Sequence, residues 1–401
     1  MIEVNKKQDC CGCTACTAIC PKDAIIMKED NEGFLYPTVD KETCINCGAC
    51  EKVCPIKYPI RQQKRKDDIY YIQCKDENIR SQSTSGGMFT ALAEFVIKKG
   101  GAVFGCAFQD ASCDRVVHKM AEDMEDIHEF RGSKYVQSDV NNTYRQAKKC
   151  LKENRLVCYS GTPCQIAGLK KYLGRDYENL ITVDVVCRAV PSPFVWKKYV
   201  EVFNKKYGNK IDHFKFRDKI WGYSYSTMSV YMKEGSGVKD YHRGIESDLW
   251  LRMFFSGLIT RESCDQCPYR EDHVSDFTIW DCFAIKEYVP EFDDDKGTTR
   301  MRINTNKGME IFQQIKEAYR WKSMPEGIAK IERAYEEKKN LQVKESFYKD
   351  LHEQEPEHVF NRYMPYTVKI AILQYGRMFT LKLGIYKSLK KVWNKVKNSS
   401  R

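Results

Sequence analysis

The sequence predicts an α/β chain, α+β overall, in which helices cover both faces of a central sheet and a small thiol-rich unit stands in front. Three observations carry this. From position 69 onward short apolar runs alternate with amphipathic stretches, the rhythm of strands and covering helices. Nine of the nineteen cysteines fall in the first 54 residues, eight of them in two copies of one spaced word. A charged run, Arg61 to Asp68 (RQQKRKDD), follows that segment, as linkers do between domains. The expected organisation is residues 1–60 as a thiol-rich domain and 61–68 as a linker. Residues 69–340 form one large domain, with an N-terminal part 69–155 and a C-terminal part 156–340, and 341–401 a helical basic tail.

The two words are Cys10-x2-Cys13-x2-Cys16-x3-Cys20-Pro21 and Cys44-x2-Cys47-x2-Cys50-x3-Cys54-Pro55, each cysteine of the second lying thirty-four residues after its counterpart. This is the spacing of bacterial two-cluster 4Fe–4S ferredoxins. Three thiolates in one turn-rich loop hold three corners of a cubane, and the fourth reaches the other cluster. One cluster is therefore expected on Cys10, Cys13, Cys16 and Cys54, the other on Cys44, Cys47, Cys50 and Cys20. Zinc more usually takes two separated CxxC pairs than two quartets each ending in Cys-Pro. Cys11, an extra thiol in the first loop, receives no role.

Past the linker, Ile69–Cys74 reads as a strand. Gly86–Lys99 reads as an amphipathic helix closed by Gly100-Gly101, and Ala102–Phe108 as a buried strand. Asn142–Glu153 is a helix, and Leu156–Tyr159 a short apolar strand running into Ser160-Gly161-Thr162-Pro163. Gln165–Leu173 is again helical and Leu180–Val186 a continuous apolar strand. Pro193–Tyr207 is a helix with proline in its first turn, where a missing N–H costs no intrahelical bond. Strands are expected at Asp212–Phe216, Thr227–Met232, Phe277–Trp280 and Arg300–Asn304, and helices at Lys307–Tyr319 and Gly327–Lys339.

The formal net charge is +11. Ten Lys and Arg and no Asp or Glu lie between His358 and Arg401, so positions 1–357 hold 56 of the 66 basic residues and all 55 acidic ones. The basicity belongs to the tail. There, apolar residues recur at Met378, Leu381, Ile385, Leu389, Val392 and Val396, with Lys387, Lys390, Lys391, Lys395 and Lys397 mainly on other faces and Trp393 beside the stripe. Such a helix lies on an anionic membrane surface or an acidic partner, or docks its stripe on the protein's own core. Charge this local, without a recognition motif, argues against nucleic acid.

No run of eighteen apolar residues occurs and no signal pattern opens the chain, and nineteen cysteines suit a reducing compartment. The chain reads as cytoplasmic, free or peripheral at the inner membrane surface. No G-x-G-x-x-G follows an expected strand, and HExxH, Walker A and serine-elbow motifs are missing. That argues against a standard Rossmann NAD site, zincin, P-loop or serine-hydrolase chemistry.

Four further cysteines stand at telling places. Cys164 follows Gly161-Thr162-Pro163 at a strand-to-helix turn, Cys187 ends an apolar strand, and Cys264-x2-Cys267 precedes Pro268. Strand ends of an open sheet are where ligands gather. Two such ends and one CxxC loop make a candidate four-thiolate site, suited to iron–sulfur or to zinc. The alternative is that each is an ordinary buried thiol, the reading taken for the seven cysteines at 11, 74, 106, 113, 150, 158 and 282.

Several stretches then join in order. They are Ser83-Thr84-Ser85-Gly86-Gly87, Gly132-Ser133-Lys134-Tyr135-Val136-Gln137-Ser138, and Ser160-Gly161-Thr162-Pro163-Cys164-Gln165. Cys187 before Pro191-Ser192-Pro193, Phe216-Arg217-Asp218-Lys219 with Trp221-Gly222, the CxxC pair, and Asp276-Phe277-Thr278-Ile279-Trp280-Asp281 complete them. With these, the chain from about residue 5 to residue 320 resembles the beta-subunit family of coenzyme F-420 hydrogenases and dehydrogenases. Its bacterial and plant members include 7-hydroxymethyl chlorophyll a reductase.

The resemblance implies FAD with a 4Fe–4S cluster beside it, held by Cys164, Cys187, Cys264 and Cys267, and so three clusters in all. It implies an oxidoreductase that passes electrons between reduced ferredoxin, or another external carrier protein, and a small organic substrate or deazaflavin-type coenzyme. A non-catalytic electron-transfer subunit serving a partner enzyme is the other reading. FAD contacts would fall to Ser83, Ser85, Gly86 and Gly87, where free N–H groups and a helix dipole meet a pyrophosphate. Others would fall to Lys134, Tyr135, Gln137, Ser138, Thr162 and Arg217. On the residues alone, Ser-Gly-Gly reads equally as a capped loop end, Lys134 as a solvated lysine, and Arg217–Asp218 as a surface ion pair. Three departures from the family pattern lie nearby: Arg188-Ala189 for His-Gly, Trp280 for Gly, and His273 for Arg.

Overall fold

The computed structural model describes residues 1–61, 68–208, 210–325, 341–386 and 388–389. In the thiol-rich segment β1 (Ile25–Glu29) pairs antiparallel with β2 (Leu35–Val39), Ile25 opposite Val39. Its own core is small: Ile2, Ile25 and Cys50, with Cys16, Cys20 and Cys54 packed against them.

The larger part is mixed α/β, as the alternation of patterns implied. Its strands are β3 (Asp68–Cys74), β4 (Ala102–Phe108), β5 (Val116–Ala121), β6 (Val157–Gly161), β7 (Leu180–Val185), β8 (Ile211–Asp218) and β9 (Thr227–Met232). They continue with β10 (Tyr241–Gly244), β11 (Phe277–Asp281), β12 (Thr299–Ile303) and β13 (Tyr319–Ser323). Eight form one sheet in the order β13–β3–β12–β11–β7–β6–β4–β5. β4, β6, β7 and β11 run parallel through its middle, and both edges are antiparallel.

Side chains alternate across a strand, so each middle strand feeds two cores. Val103, Cys158 and Ile181 face the helices Met88–Lys98 and Asn306–Ile315. Phe104, Tyr159 and Leu180 face the helices Thr143–Lys152 and Pro163–Leu173. A second sheet, β10–β9–β8, packs with the helices Pro193–Tyr207, Leu249–Phe255, Leu341–Glu353 and Pro356–Tyr363 around Trp196, Tyr199, Trp250, Phe214 and Phe347. Each such side chain, fully buried, contributes about 1.5–3 kcal/mol.

Several boundaries moved for identifiable reasons. The helix expected from Gly86 starts at Met88, because the Gly86 N–H is held by Thr299 Oγ1 at 2.8 Å and a Cβ there would meet the Ile72 carbonyl at 2.1 Å. The helix expected to reach Tyr319 stops earlier, and Tyr319 opens edge strand β13, whose other side chains are exposed and show no alternation. Strands β1, β2, β5 and β10 were not anticipated. The helix expected over 327–339 and linker residues 62–67 lie outside the described residues.

The tail differs from its expected form. The last helix spans Val368–Lys382, and Gly384 then takes a left-handed φ of 71°. One continuous stripe from Met378 to Leu389 therefore does not form. Val392, Trp393, Val396 and the lysines at 387, 390, 391, 395 and 397 lie outside the described residues. Among the described residues no helix is long and apolar enough to cross a membrane.

Candidate functional site

The parallel pairing of β6 with β7, Gly161 opposite Asp184, sets their carboxyl ends side by side. Cys164 then sits in the first turn of Pro163–Leu173, whose start is fixed by Pro163 and by a capping box between Thr162 and Gln165. Cys187 lies just past β7. Cys264 closes a 3-10 turn, Glu262–Cys264, and Cys267 follows it. Burial raises Cys187, Cys264 (to about 12) and Cys267 (to about 11), and the neighbouring Cys11 thiol together with burial raises Cys164. Cys187 also feels the charges of Cys264, Cys164 and Cys267, so the four are neighbours. Buried thiols stay protonated unless a cationic centre compensates the thiolate. Thr162 Oγ1 stands 3.2 Å from Cys164 Sγ.

In the thiol-rich segment Cys54 acts electrostatically on Cys10 and Cys16, and burial lifts Cys16 to about 12. Cys20 joins the other word: with Cys44, Cys47 and Cys50 it lines one small hollow. Backbone N–H groups already point at three sulfurs, Ile2 to Cys50 at 3.2 Å, Gly12 to Cys10 at 3.4 Å and Ala24 to Cys20 at 3.3 Å. Such bonds support thiolate and tune cluster potentials. Among the described residues no three His, Cys, Asp or Glu side chains stand within reach of a single metal ion. The quartets are gatherings of neighbours rather than closed cages.

The two thiol regions meet at Cys11. It is buried with Cys13 of the first word in one core, and Cys164 and Cys267 of the inner group pack against that core. Helix Pro163–Leu173 comes so near that a Cβ on Gly168 would stand 2.9 Å from Cys13 Sγ. Gln137 Nε2 donates to the Cys11 carbonyl at 3.0 Å. Arg261, fully buried, donates to the carbonyls of Cys10 at 2.9 Å and Leu35 at 3.0 Å and to Gln137 Oε1 at 3.0 Å.

Of the residues expected at FAD, several share one corner. Helix Met88–Lys98 opens at Gly87 with no side-chain cap, leaving its first N–H groups to be met from outside. Ser133 N donates to Thr84 Oγ1 at 2.9 Å, joining the 83–87 and 132–138 loops. Lys219 Nζ donates to the Ser85 carbonyl at 2.7 Å, and Ser85 Oγ lies 2.7 Å from Thr299 Oγ1. Arg217 pairs with Asp281 at 3.0 Å and donates to Tyr135 OH at 3.2 Å, while Tyr223 OH donates to Asp281 at 3.0 Å. Tyr135 also feels the charge of Cys187, which puts this corner beside the inner thiols.

Other expected contacts are engaged elsewhere. Ser83 Oγ donates to the Ile79 carbonyl at 2.7 Å. Lys134 is half-buried rather than free in solvent: burial lowers its pKa, and its ammonium donates to the carbonyls of Glu129 and, at 3.0 Å, Arg131. Gln137 bridges Cys11 and Arg261, and Ser138 Oγ accepts from Gln165 Nε2 at 3.0 Å. Arg217 pairs with Asp281, not with Asp218, which accepts from Tyr231 OH at 2.7 Å. Of the residues expected at a flavin, the uncapped helix start, Tyr135 and Arg217 share this corner, while Lys134, Gln137 and Ser138 are engaged elsewhere.

The three departures all have local roles. His273 Nδ1 meets Asp184 Oδ1 at 3.0 Å, both fully buried. Trp280 packs against the cluster of Ile69, Tyr71 and Ile285. Arg188 donates to the Phe255 carbonyl at 3.2 Å. Sequence reasoning missed Arg261, which no motif marks, and left Cys11 unassigned although its place inside the first word was a signal.

Residues 69–144 match the N-terminal model, and residues 154–326 the C-terminal model, of the coenzyme F-420 hydrogenase/dehydrogenase beta subunit. Residues 9–58 match a 4Fe–4S dicluster domain. Among solved structures, a chain of the F-420-reducing NiFe hydrogenase complex from Methanosarcina barkeri is 14% identical, with 77% of this chain and 97% of that one covered and a TM-score of 0.44. No curated protein matches the sequence.

Proposed function

Because the chain belongs to the coenzyme F-420 hydrogenase/dehydrogenase beta-subunit family and carries a 4Fe–4S dicluster domain, we propose that it is an FAD-dependent iron–sulfur oxidoreductase. It would work between an external electron-carrier protein, such as reduced ferredoxin, and a small organic molecule. When bound, FAD supplies two-electron hydride chemistry and the clusters supply one-electron steps.

The reading is carried by one observation: Cys11 and Cys13 lie in one buried core against which Cys164 and Cys267 pack, so the outer and inner thiol groups adjoin. In this reading Cys10, Cys13, Cys16 and Cys54 hold one cluster, Cys20, Cys44, Cys47 and Cys50 a second, and Cys164, Cys187, Cys264 and Cys267 the third. The uncapped start of Met88–Lys98 binds pyrophosphate. Arg217, fixed in direction by Asp281, presents a cation to the cofactor, and Tyr135 screens that corner from water beside the inner thiols.

Anaerobic purification followed by iron and flavin analysis tests this. The expected result is about twelve irons and one FAD per chain, from three cubanes and one flavin site. Iron without flavin would make the chain an electron-transfer subunit for a partner enzyme. A colourless, iron-poor protein would remove the redox reading altogether.

A further inference from the structure

Helix Val368–Lys382 is tied to the fold by two polar side chains, with Ile370, Met378 and Leu381 half-buried beside them. Gln374 is fully buried, where its Oε1 accepts from the Gly244 N–H at 3.3 Å and from Ser247 Oγ. Arg377 pairs with Glu246 at 2.7 Å. The outward side carries Val368, Ile372, Tyr375, Phe379 and Leu383, exposed by 76, 65, 62, 63 and 55%. Steps of three and four residues put all five on one stripe. At 3.6 residues per turn Lys369 and Lys382 fall on its two flanks.

An apolar stripe offered to solvent, on a helix held to the fold through polar bonds, is the reverse of an ordinary surface helix. A contiguous exposed apolar patch of this kind marks an interaction surface. The charge around it says which. From His358 to Arg401 the sequence has ten basic residues and no acidic one. Pairing two copies stripe to stripe would bring Lys369 and Lys382 of both together with no carboxylate on that segment to offset them. The stripe is a convex ridge about 22 Å long by helix rise, with aromatic rings at its middle and lysines along both sides. Basic residues continue along the sequence beyond it, which suits an extended negative plane.

We propose that this helix seats the protein on an anionic lipid bilayer. It lies in the interfacial plane with Ile372, Tyr375 and Phe379 among the acyl chains and Lys369 and Lys382 at the headgroups. This goes beyond the redox reading and stands or falls separately from it.

The test is co-sedimentation of the full-length holoprotein with phosphatidylcholine vesicles, pure or doped with phosphatidylglycerol. Binding is expected to the doped vesicles only. The double variant Ile372→Ser/Phe379→Ser should raise the lipid needed for half-binding about tenfold or more. Lys369→Glu/Lys382→Glu should weaken binding as well. All four positions lie outside the core, so melting temperatures should match the parent. No binding to doped vesicles overturns the proposal in favour of a protein partner. Binding indifferent to the apolar pair overturns it in favour of the lysine-rich end alone, and self-association abolished by that pair overturns it in favour of a second copy.

Discussion

Arg261 places a fully buried guanidinium among neutral acceptors, with the ring of Tyr36 4.3 Å away and that of Phe34 5.2 Å away. It feels Cys10, Cys11 and Cys264, so its charge acts on both the outer and the inner thiol groups. An isolated buried cation is costly, and thiolate-ligated cubanes are anions that gain negative charge on reduction. If the outer and inner thiol groups hold clusters as proposed, Arg261 should therefore favour their reduced state. Arg261→Met is expected to lower at least one midpoint potential by about 60 mV, the one-electron equivalent of tenfold. Arg261→Lys should lower it less, because it keeps the charge while losing the fork of donors. EPR-monitored redox titration reads both, with iron content as control. Unmoved potentials in Arg261→Met would show that the residue only braces the loops.

Individual elements also carry function in their ends. Asp248 caps the helix Leu249–Phe255, accepting from Leu251 N at 2.8 Å and from the hydroxyls of Tyr199 and Tyr241, each at 3.1 Å. Burial lifts its carboxyl to about 6 from an ordinary 3.8. A raised carboxyl contributes stability in full below the ordinary value, where folded and unfolded chains both hold the proton. That contribution is lost as pH rises through 6, where a buried charge must form. Asparagine caps as well as aspartate and stays neutral. The stability of Asp248→Asn relative to the parent should therefore rise by about 1–3 kcal/mol between pH 4 and 7. Denaturant melts of the two proteins at each pH measure that difference, in which acid damage to clusters cancels. A difference independent of pH would mean that Asp248 does not titrate in this window.

At the scale of the molecule, the thiol-rich segment is held by docking more than by its own core. Arg145 donates to the carbonyls of Ala18 at 2.9 Å and Thr17 at 3.2 Å. Tyr269 OH donates to the Pro55 carbonyl at 2.9 Å, and Lys344 pairs with Glu32 at 2.6 Å. Segments of about 60 residues with so small a core usually need a metal or covalent staple. Stripping iron anaerobically with a chelator should therefore open residues 1–61 to protease while the sheet of β3 to β13 survives, because metal-binding free energy is folding free energy there. Mass spectrometry of the fragments would locate the cuts. Cleavage spread evenly through both parts would contradict this division.

Much of this architecture was legible in local pattern. The bounds of β4, β9 and the helix Pro193–Tyr207 agree with the sequence reading to the residue, since Gly-Gly, Pro and turn residues punctuate them. The cysteine words were legible because cluster ligation is set by spacing within one loop. Edge strands β10 and β13 were not, because they lack an alternating apolar face. Nor was Arg261, whose role depends on Cys10, some 250 positions away. The facing of the last helix shows the limit most clearly. Periodicity picked out Met378, Leu381, Ile385 and Leu389, whereas the bonds of Gln374 and Arg377 to Gly244, Ser247 and Glu246 turn a different stripe, Val368, Ile372, Tyr375, Phe379 and Leu383, outward. Spacing along a chain governs what neighbours in sequence can ligate. Which face is buried is decided by partners that only folding brings near.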